Sequence, residues 1–235
     1  MRRFFFALLM MSFASASLDA QRRPRVFTTK DPNVWVTLGV AGFQANAVND
    51  GVTSSTWDFA SATNFLYRAS LEKGMANGAS FGLAGSYARV PFQYSADLGN
   101  PLPSGADGGR CAAPASICDA HLDITALVVT FHSGSGYGLH QVLELDGGVV
   151  AYRNLKRDSD GAKLAPGGGN IDPLVSLGYG FGYGLSDRTN IDFISTYTFG
   201  IHERKGTSNG VSNTNRMPSL RVSVRRGFGS RTVSR

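Results

Sequence analysis

Eight segments of this chain alternate in hydropathy with a period of two, and the connections between them alternate long and short. In the segment 174–185, Val175, Leu177, Tyr179, Phe181 and Tyr183 occupy one parity, and Ser176, Gly178, Gly180, Gly182 and Gly184 the other. In 190–202, Ile191, Phe193, Ser195, Tyr197, Phe199 and Ile201 alternate with Asp192, Ile194, Thr196, Thr198, Gly200 and His202. Successive side chains on a strand point to opposite faces, so alternation this long predicts strands and is hard to fit to a helix. Six noisier segments follow the rule, at 34–41, 57–68, 80–87, 121–128, 139–145 and 219–225. The odd connections are long, at Gln44–Ser55, Val90–Asp119, Arg153–Asp172 and Glu203–Pro218; the even ones are short, at Glu72–Gly78, Ser133–Gly136 and Ser186–Thr189. Long loops at one end and tight turns at the other predict an all-β chain folded as a transmembrane antiparallel up-and-down β-barrel of eight strands. A ten-stranded count stays open, since Gly147-Gly148 reads as a bulge or a break.

Which face meets which solvent follows from volume. One face of the segments carries Val, Leu, Phe, Tyr and Trp; the other carries Gly, Ala, Ser, Thr and a few charges. Eight tilted strands leave a bore only wide enough for side chains, so the small row belongs inside. The apolar rows then face outward, which water penalises and a bilayer permits. On this reading Leu122, Ile124, Ala126 and Val128 face lipid, as do Trp57 and Phe59. Aromatic girdles are expected at headgroup depth. Trp57, Phe59, Tyr87, Tyr197 and Phe199 are placed toward the loop end, and Phe65, Tyr67, Phe81, Tyr179, Tyr183 and Phe193 toward the turn end. Asp58, Arg68, Asp123, Glu144, Asp192, Arg221 and Arg225 are expected to project into the bore and pair there, because unpaired buried charge is costly.

The first residues read as an export signal. Arg2 and Arg3 precede the apolar run Phe4–Met11, which is too short to span a bilayer. Small-residue cleavage sites end at Ala16 and Ala20, dividing the chain into a 1–20 signal peptide and a 21–235 barrel domain with four extracellular loops; both cleavage points stay open. Export to an oxidising compartment makes a local disulfide the expected state of Cys111 and Cys118, bracing a long loop.

Segments such as Val175-Ser-Leu-Gly-Tyr-Gly-Phe-Gly-Tyr183 and Leu220-Arg-Val-Ser-Val224 resemble the strands of the small eight-stranded outer-membrane barrels, of the OmpX and OmpA-transmembrane-domain kind. The resemblance covers roughly residues 31–231 and rests on pattern rather than on a signature motif. It implies the outer membrane of a Gram-negative bacterium, and contact with outer-membrane lipid, lipopolysaccharide and the barrel assembly machinery. One departure is the end of the chain: the family often finishes on an aromatic, whereas Phe228 is followed here by Gly-Ser-Arg-Thr-Val-Ser-Arg. The family hosts adhesins, lipid-binding proteins and lipopolysaccharide-modifying enzymes, so the fold leaves the role open.

Chemical motifs are few. The glycines of 178–184 repeat every two residues with no helix behind them, and Gly167-Gly168-Gly169 lacks a Lys-Ser/Thr ending, so neither reads as a phosphate loop. His132-Ser133 with Glu144 is similar to the His/Ser/Glu set of lipid A deacylases, but a triad must lie within hydrogen-bond reach. About eleven residues separate Glu144 from this pair along the strand, which places it beyond that reach. No cofactor or metal ligand set is called for, and the net charge of +6 shows no basic stripe with interleaved aromatics of the nucleic-acid kind. Arg153, Lys156, Arg157 and Lys163, with Arg204, Lys205 and Arg216, form an expected basic rim that would contact lipopolysaccharide phosphates. The reading is a monomeric barrel with a structural or surface-interaction role, with an extracellular ligand met through its loops. The alternatives are a lipid A-modifying enzyme and a narrow solute channel.

Overall fold

The computed structural model describes residues 28–59, 63–75, 78–96, 102, 104, 108–112, 115–202 and 214–234. Residues 1–27, which include the expected signal peptide with its Ala16 and Ala20 cleavage points, lie outside the described residues, as do Arg204 and Lys205.

Eight long strands form the wall: β2 (Val34–Phe43), β5 (Asn64–Gly74), β6 (Ser80–Ala96), β7 (Ile117–Ser133), β8 (Gly138–Arg157), β9 (Asn170–Ser186), β10 (Thr189–Ile201) and β11 (Thr214–Phe228). Each pairs antiparallel with its neighbours in the order β2-β5-β6-β7-β8-β9-β10-β11, and the pairing of β11 with β2 completes the circuit. The sheet therefore has no free edge around the barrel, as lipid requires of a spanning sheet. Two short strands, β3 (Val48–Asp50) and β4 (Ser55–Asp58), make a hairpin inside the first long connection. Through β4 that hairpin pairs with the upper end of β6, Trp57 lying opposite Tyr94. β1 (Thr28–Asp31) and β12 (Arg231–Ser234) form a separate two-stranded sheet.

The even turns are tight and chemically explicable. Asp187 and Arg188 alone join β9 to β10. The β7–β8 turn carries Gly134 and Gly136 at positive φ (117° and 136°), a region that side-chain-bearing residues rarely adopt. The last three odd connections are shorter than expected because the strands climb past the apolar band: β6 and β7 each have 17 residues and β8 has 20. The first is longer than expected, running from Phe43 to Asn64, because Trp57 and its neighbours belong to the β3–β4 hairpin and not to the wall. A strand crosses the hydrocarbon layer in about 9–11 residues, so the upper third or more of these strands stands beyond it.

The outward face carries the band that a bilayer needs. Leu38, Tyr67, Leu71, Leu83, Leu127, Val175, Leu177, Phe193, Val222 and Val224 are all exposed. Neighbouring rows run from strand to strand in register, for example Val222, Val40, Tyr67 and Tyr87. Exposed apolar area this continuous is incompatible with water. Tyr197 and Phe199 are exposed near the long-connection end and pack ring to ring at 4.8 Å.

Three placements differ from the sequence reading. On β7 the parity is inverted: Leu122, Ile124 and Val128 point inward, while His121, Asp123, Thr125, Leu127, Val129 and Phe131 share the outer face. Both parities of this strand are apolar somewhere along its length, so alternation over 121–128 alone was ambiguous. Trp57 and Phe59 are fully buried rather than part of an outer girdle. Phe65 and Tyr67 face outward near the long-connection end of β5, not the turn end, because Asn64 pairs with Phe43 at the top of β2.

Candidate functional site

The inward rows divide the interior into an ionic lower half and an apolar upper half. At the turn end, Arg225 from β11 is fully buried and stacks its guanidinium 4.4 Å over the Trp35 ring. It reaches Glu72 of β5 at 2.8 Å and donates to Ser80. The Glu72 carboxylate also accepts from Ser70, Ser80 and Thr37, so its lone pairs are filled from three strands. A second cluster lies above: Arg221 pairs with Glu144, and Arg68 bridges Glu144 (3.4 Å) and Asp146 (2.8 Å) while donating to Thr130. Asp146 also accepts from Ser176 at 2.8 Å. In every pair the acid and the base come from different, non-adjacent strands, so these ion pairs tie separate walls across the bore. Buried pairs of this kind are costly to break because the survivor is left charged in a low dielectric.

Of the seven residues expected here, Arg68, Glu144, Arg221 and Arg225 take part in these contacts, and Asp192 lines the same bore. Asp58 and Asp123 do not. Asp58 lies on the β4 face opposite the buried Trp57, and Asp123 shares the inverted outer face of β7, where it accepts from Tyr87 (3.0 Å) and Asn154 (2.6 Å). Glu72 and Asp146 were missed. Both sit on the inward parity of segments already recognised, four residues after Arg68 and two after Glu144, and extending each strand by one turn of its pattern would have found them.

Above the second cluster is a cavity of about 60 Å³, floored by Arg68, Asp146 and Arg221 and roofed by Phe43, Ile124, Leu174 and Met217. It has room for a few waters. The roof begins an apolar core that holds Val90, Phe92, Tyr94, Leu122, Tyr152, Leu155 and Leu164, with Trp57 and Phe59 from the first connection packed among them. Phe59 meets Phe92 at 5.6 Å, and Trp57 meets Tyr152 edge-on at 5.6 Å. The Cys111–Cys118 disulfide is formed at the edge of this core.

One polar group is embedded there. His202, one residue past the end of β10, lies 2.7 Å from Asp172 of β9 and 3.8 Å from Asp50 of the β3–β4 hairpin, with Trp57 edge-on at 5.2 Å. Burial alone would disfavour its charge, but the two carboxylates outweigh it and raise its pKa to about 9. Burial likewise works against ionised Asp50, yet His202, Thr53 and the Val52 N–H hold its carboxyl below the ordinary range. The imidazolium therefore fastens the hairpin into the barrel mouth.

The basic side chains do not form one ring. Arg153 is exposed on β8, Lys156 is half-buried beside it, and Lys163 stands opposite Lys156 on the returning segment. Arg157 is occupied by a bidentate pair with Asp160, whose carboxyl it draws down to about 2. Arg216 is exposed on β11, three strands away. The His/Ser/Glu set is also rearranged. His132 and Glu144 are cross-strand partners, with Nδ1 and Oε2 3.6 Å apart, so the separation argued from sequence was wrong. The pairing of adjacent strands across a tight turn cancels sequence distance. Ser133 nevertheless points through the opposite face of β7 from His132, so the wall itself separates the trio. Among the described residues, no group of three or more His, Cys, Asp or Glu is gathered to hold a metal ion.

The closed circuit of eight antiparallel strands with an outward apolar band decides the architecture. The chain is a closed eight-stranded antiparallel β-barrel. No protein-family model matches it, and no curated protein matches it in sequence. Among solved structures it is similar to Neisserial surface protein A (16% identity, TM-score 0.47, covering 83% of this chain and 97% of that one). It is also similar to OprG from Pseudomonas aeruginosa (12%, 0.45, 86% and 98%). A third is Ail, the attachment invasion locus protein of Yersinia pestis, in complex with the heparin analogue sucrose octasulfate (10%, 0.42, 83% and 99%). The eight-stranded architecture rests on the strand pairing itself and not on these likenesses.

Proposed function

We propose that this chain is an integral protein of the bacterial outer membrane, exported by a cleaved signal peptide, whose bore is closed and whose work is done at its extracellular face. The observation that carries this reading is the filling of the interior. Two ion-pair clusters, a cavity of about 60 Å³ and an apolar core follow one another up the barrel axis. A solute path would have to cross both an ionic layer and a dry one. Planar-bilayer recording of the folded protein tests it: no steady conductance is expected, and a reproducible ohmic channel would overturn the closed-bore reading.

The finer role is structural or surface-interacting, with the tall upper strands and long connections as the contact surface. Arg153, Lys156 and Lys163 on the β8 side, with Arg216 on β11 and with Arg204 and Lys205, suit lipopolysaccharide phosphates. Arg157 contributes least, because Asp160 already holds it. Replacing Arg153, Lys156, Lys163 and Arg216 by Ser should lower lipopolysaccharide co-purification, whereas unchanged lipid content would remove this element of the reading.

A further inference from the structure

The lower bore carries one carboxylate more than its arginines answer. Glu72, Glu144, Asp146 and Asp192 face inward there, against Arg68, Arg221 and Arg225, with the buried His132 beside Glu144. Three acids are spoken for by the contacts above. Asp192, fully buried, is the fourth, and neither of its carboxylate oxygens has a hydrogen-bond partner among the described residues. His132, Arg225, His140 and Arg221 lie near enough to feel it, but one terminal nitrogen of Arg221 is given to Glu144 and one of Arg225 to Glu72.

Asp192 does not stand alone. It is opposite Gly182 of β9 on one side and Ser223 of β11 on the other, and Gly182 is in turn opposite His140 of β8. One turn lower on β10 is Asn190, fully buried, with both amide atoms unpartnered; the Ser223 hydroxyl is unpartnered as well. The His140 ring is oriented by its other nitrogen. A carbonyl can only accept, so Nδ1 donates to the Gly138 oxygen at 3.1 Å and Nε2 is turned inward, without a hydrogen-bond partner among the described residues. A methyl group on Gly182 would come within 2.3 Å of that nitrogen and 2.6 Å of Asp192 Oδ1. The two atoms are therefore within about 5 Å of each other, the span of one bridging particle. The glycine leaves the space between them, and Asn190 and Ser223 are the flanking inward-facing residues on β10 and β11.

We propose that this niche binds one small cation at the turn end of the bore, anchored on Asp192, with Asn190, Ser223 and His140 as neutral donors. His140 is partly exposed and marks the approach. Oxygen donors suit a monovalent ion; imidazole beside carboxylate also suits a first-row divalent ion such as Zn²⁺. Two ionisable ligands and an amide do not make a closed metal site, so water completes the shell and binding is reversible.

The test uses the full mature barrel folded in lipid vesicles, with its urea midpoint read in choline chloride plus EDTA, in NaCl at equal ionic strength, and with ZnCl₂. Ligation to the folded state alone multiplies the folded-to-unfolded ratio about elevenfold at ten times Kd. Wild type should gain stability with Na⁺ or Zn²⁺. Asp192→Asn should lose both responses, and in choline and EDTA it should be at least as stable as wild type, because an uncompensated buried charge has been removed. His140→Gln should lose the Zn²⁺ response and keep any Na⁺ response, and His121→Gln should change neither. Gly182→Ala, which fills the niche while leaving every charge in the chain, should abolish both and stands in if Asp192→Asn does not fold. A wild type indifferent to both ions means the niche holds water only and overturns the proposal. So does a response that survives in Asp192→Asn or Gly182→Ala, or an Asp192→Asn barrel less stable than wild type without ions. None of these outcomes bears on conductance, which tests the closed-bore reading separately.

Discussion

The two halves of this barrel are filled by opposite chemistries. Near the turns, Glu72, Arg225, Arg68, Asp146, Glu144 and Arg221 cross-link the walls through ion pairs and hydroxyls. Toward the long connections, Trp57, Phe59, Phe92, Tyr94, Leu122 and Tyr152 pack as they would in a water-soluble core. The difference follows from what lies outside each half. In the bilayer zone the outer face takes the large apolar residues, and the eight-strand bore admits only slim or ionic groups. Beyond the bilayer the outer wall meets water, polar residues such as Arg89, Asp123 and Arg153 move outside, and the apolar side chains turn in. The molecule is thus inverted at its base and conventional at its top.

Breaking the lower half by one partner should have the largest effect. Glu72→Ala leaves Arg225 buried and unpaired, and should destabilise the barrel by about 3–5 kcal/mol in urea titrations from vesicles. Replacing Glu72 and Arg225 together by apolar residues should recover most of that loss, and failure to recover would mean the pair does more than neutralise itself. In the upper half, Trp57→Ala removes a fully buried ring and should cost about 3 kcal/mol. It should also expose the β3–β4 hairpin to protease while the lower half keeps its heat-resistant migration on detergent gels. Reducing Cys111–Cys118 closes off a smaller term, about 2 kcal/mol by loop-closure entropy, and should be felt only in the upper half.

The gentlest probe is pH. His202 has its pKa raised from 6.5 to about 9, so its contribution is complete below 6.5 and fades as pH rises through about 9. Asp50 is depressed below 3.8, so its contribution is present above that value and fades as pH falls below it. Trp57 fluorescence should therefore report a hairpin held firmly between these limits and loosening in alkali. His202→Gln should erase the alkaline step, and a step that persists would assign it elsewhere.

The barrel was legible because strand parity and loop length are independent signals that agree. The rows of 174–185 and 190–202 reach the structure with their faces as read. β7 failed because the sequence reading assumed one kind of lumen along the whole axis. Leu122 and Ile124 look lipid-facing under that assumption, and only the run Leu127, Val129, Phe131 lower on the strand betrays the true parity. Trp57 failed for the same reason, since an aromatic beside a polar residue fits a girdle as well as a core. The lower charges were half legible: parity places Arg68, Glu144, Arg221 and Arg225, but which acid meets which base depends on stagger across the bore. His202 was recognised only as a row member, since nothing local joins it to Asp50, which is far away in the chain.

The 20 residues of β8 have a consequence for reach. At about 3.3 Å per residue and a tilt near 40°, such a strand rises about 50 Å, roughly twice the apolar band. β6, β7 and β9 rise with it at 17 residues each, whereas β2 and β5 stop after 10 and 11. The rim is therefore uneven, a hydrogen-bonded parapet on one side and a low sill on the other. A partner approaching from the long-connection end should meet the paired strands of the β6–β9 side first.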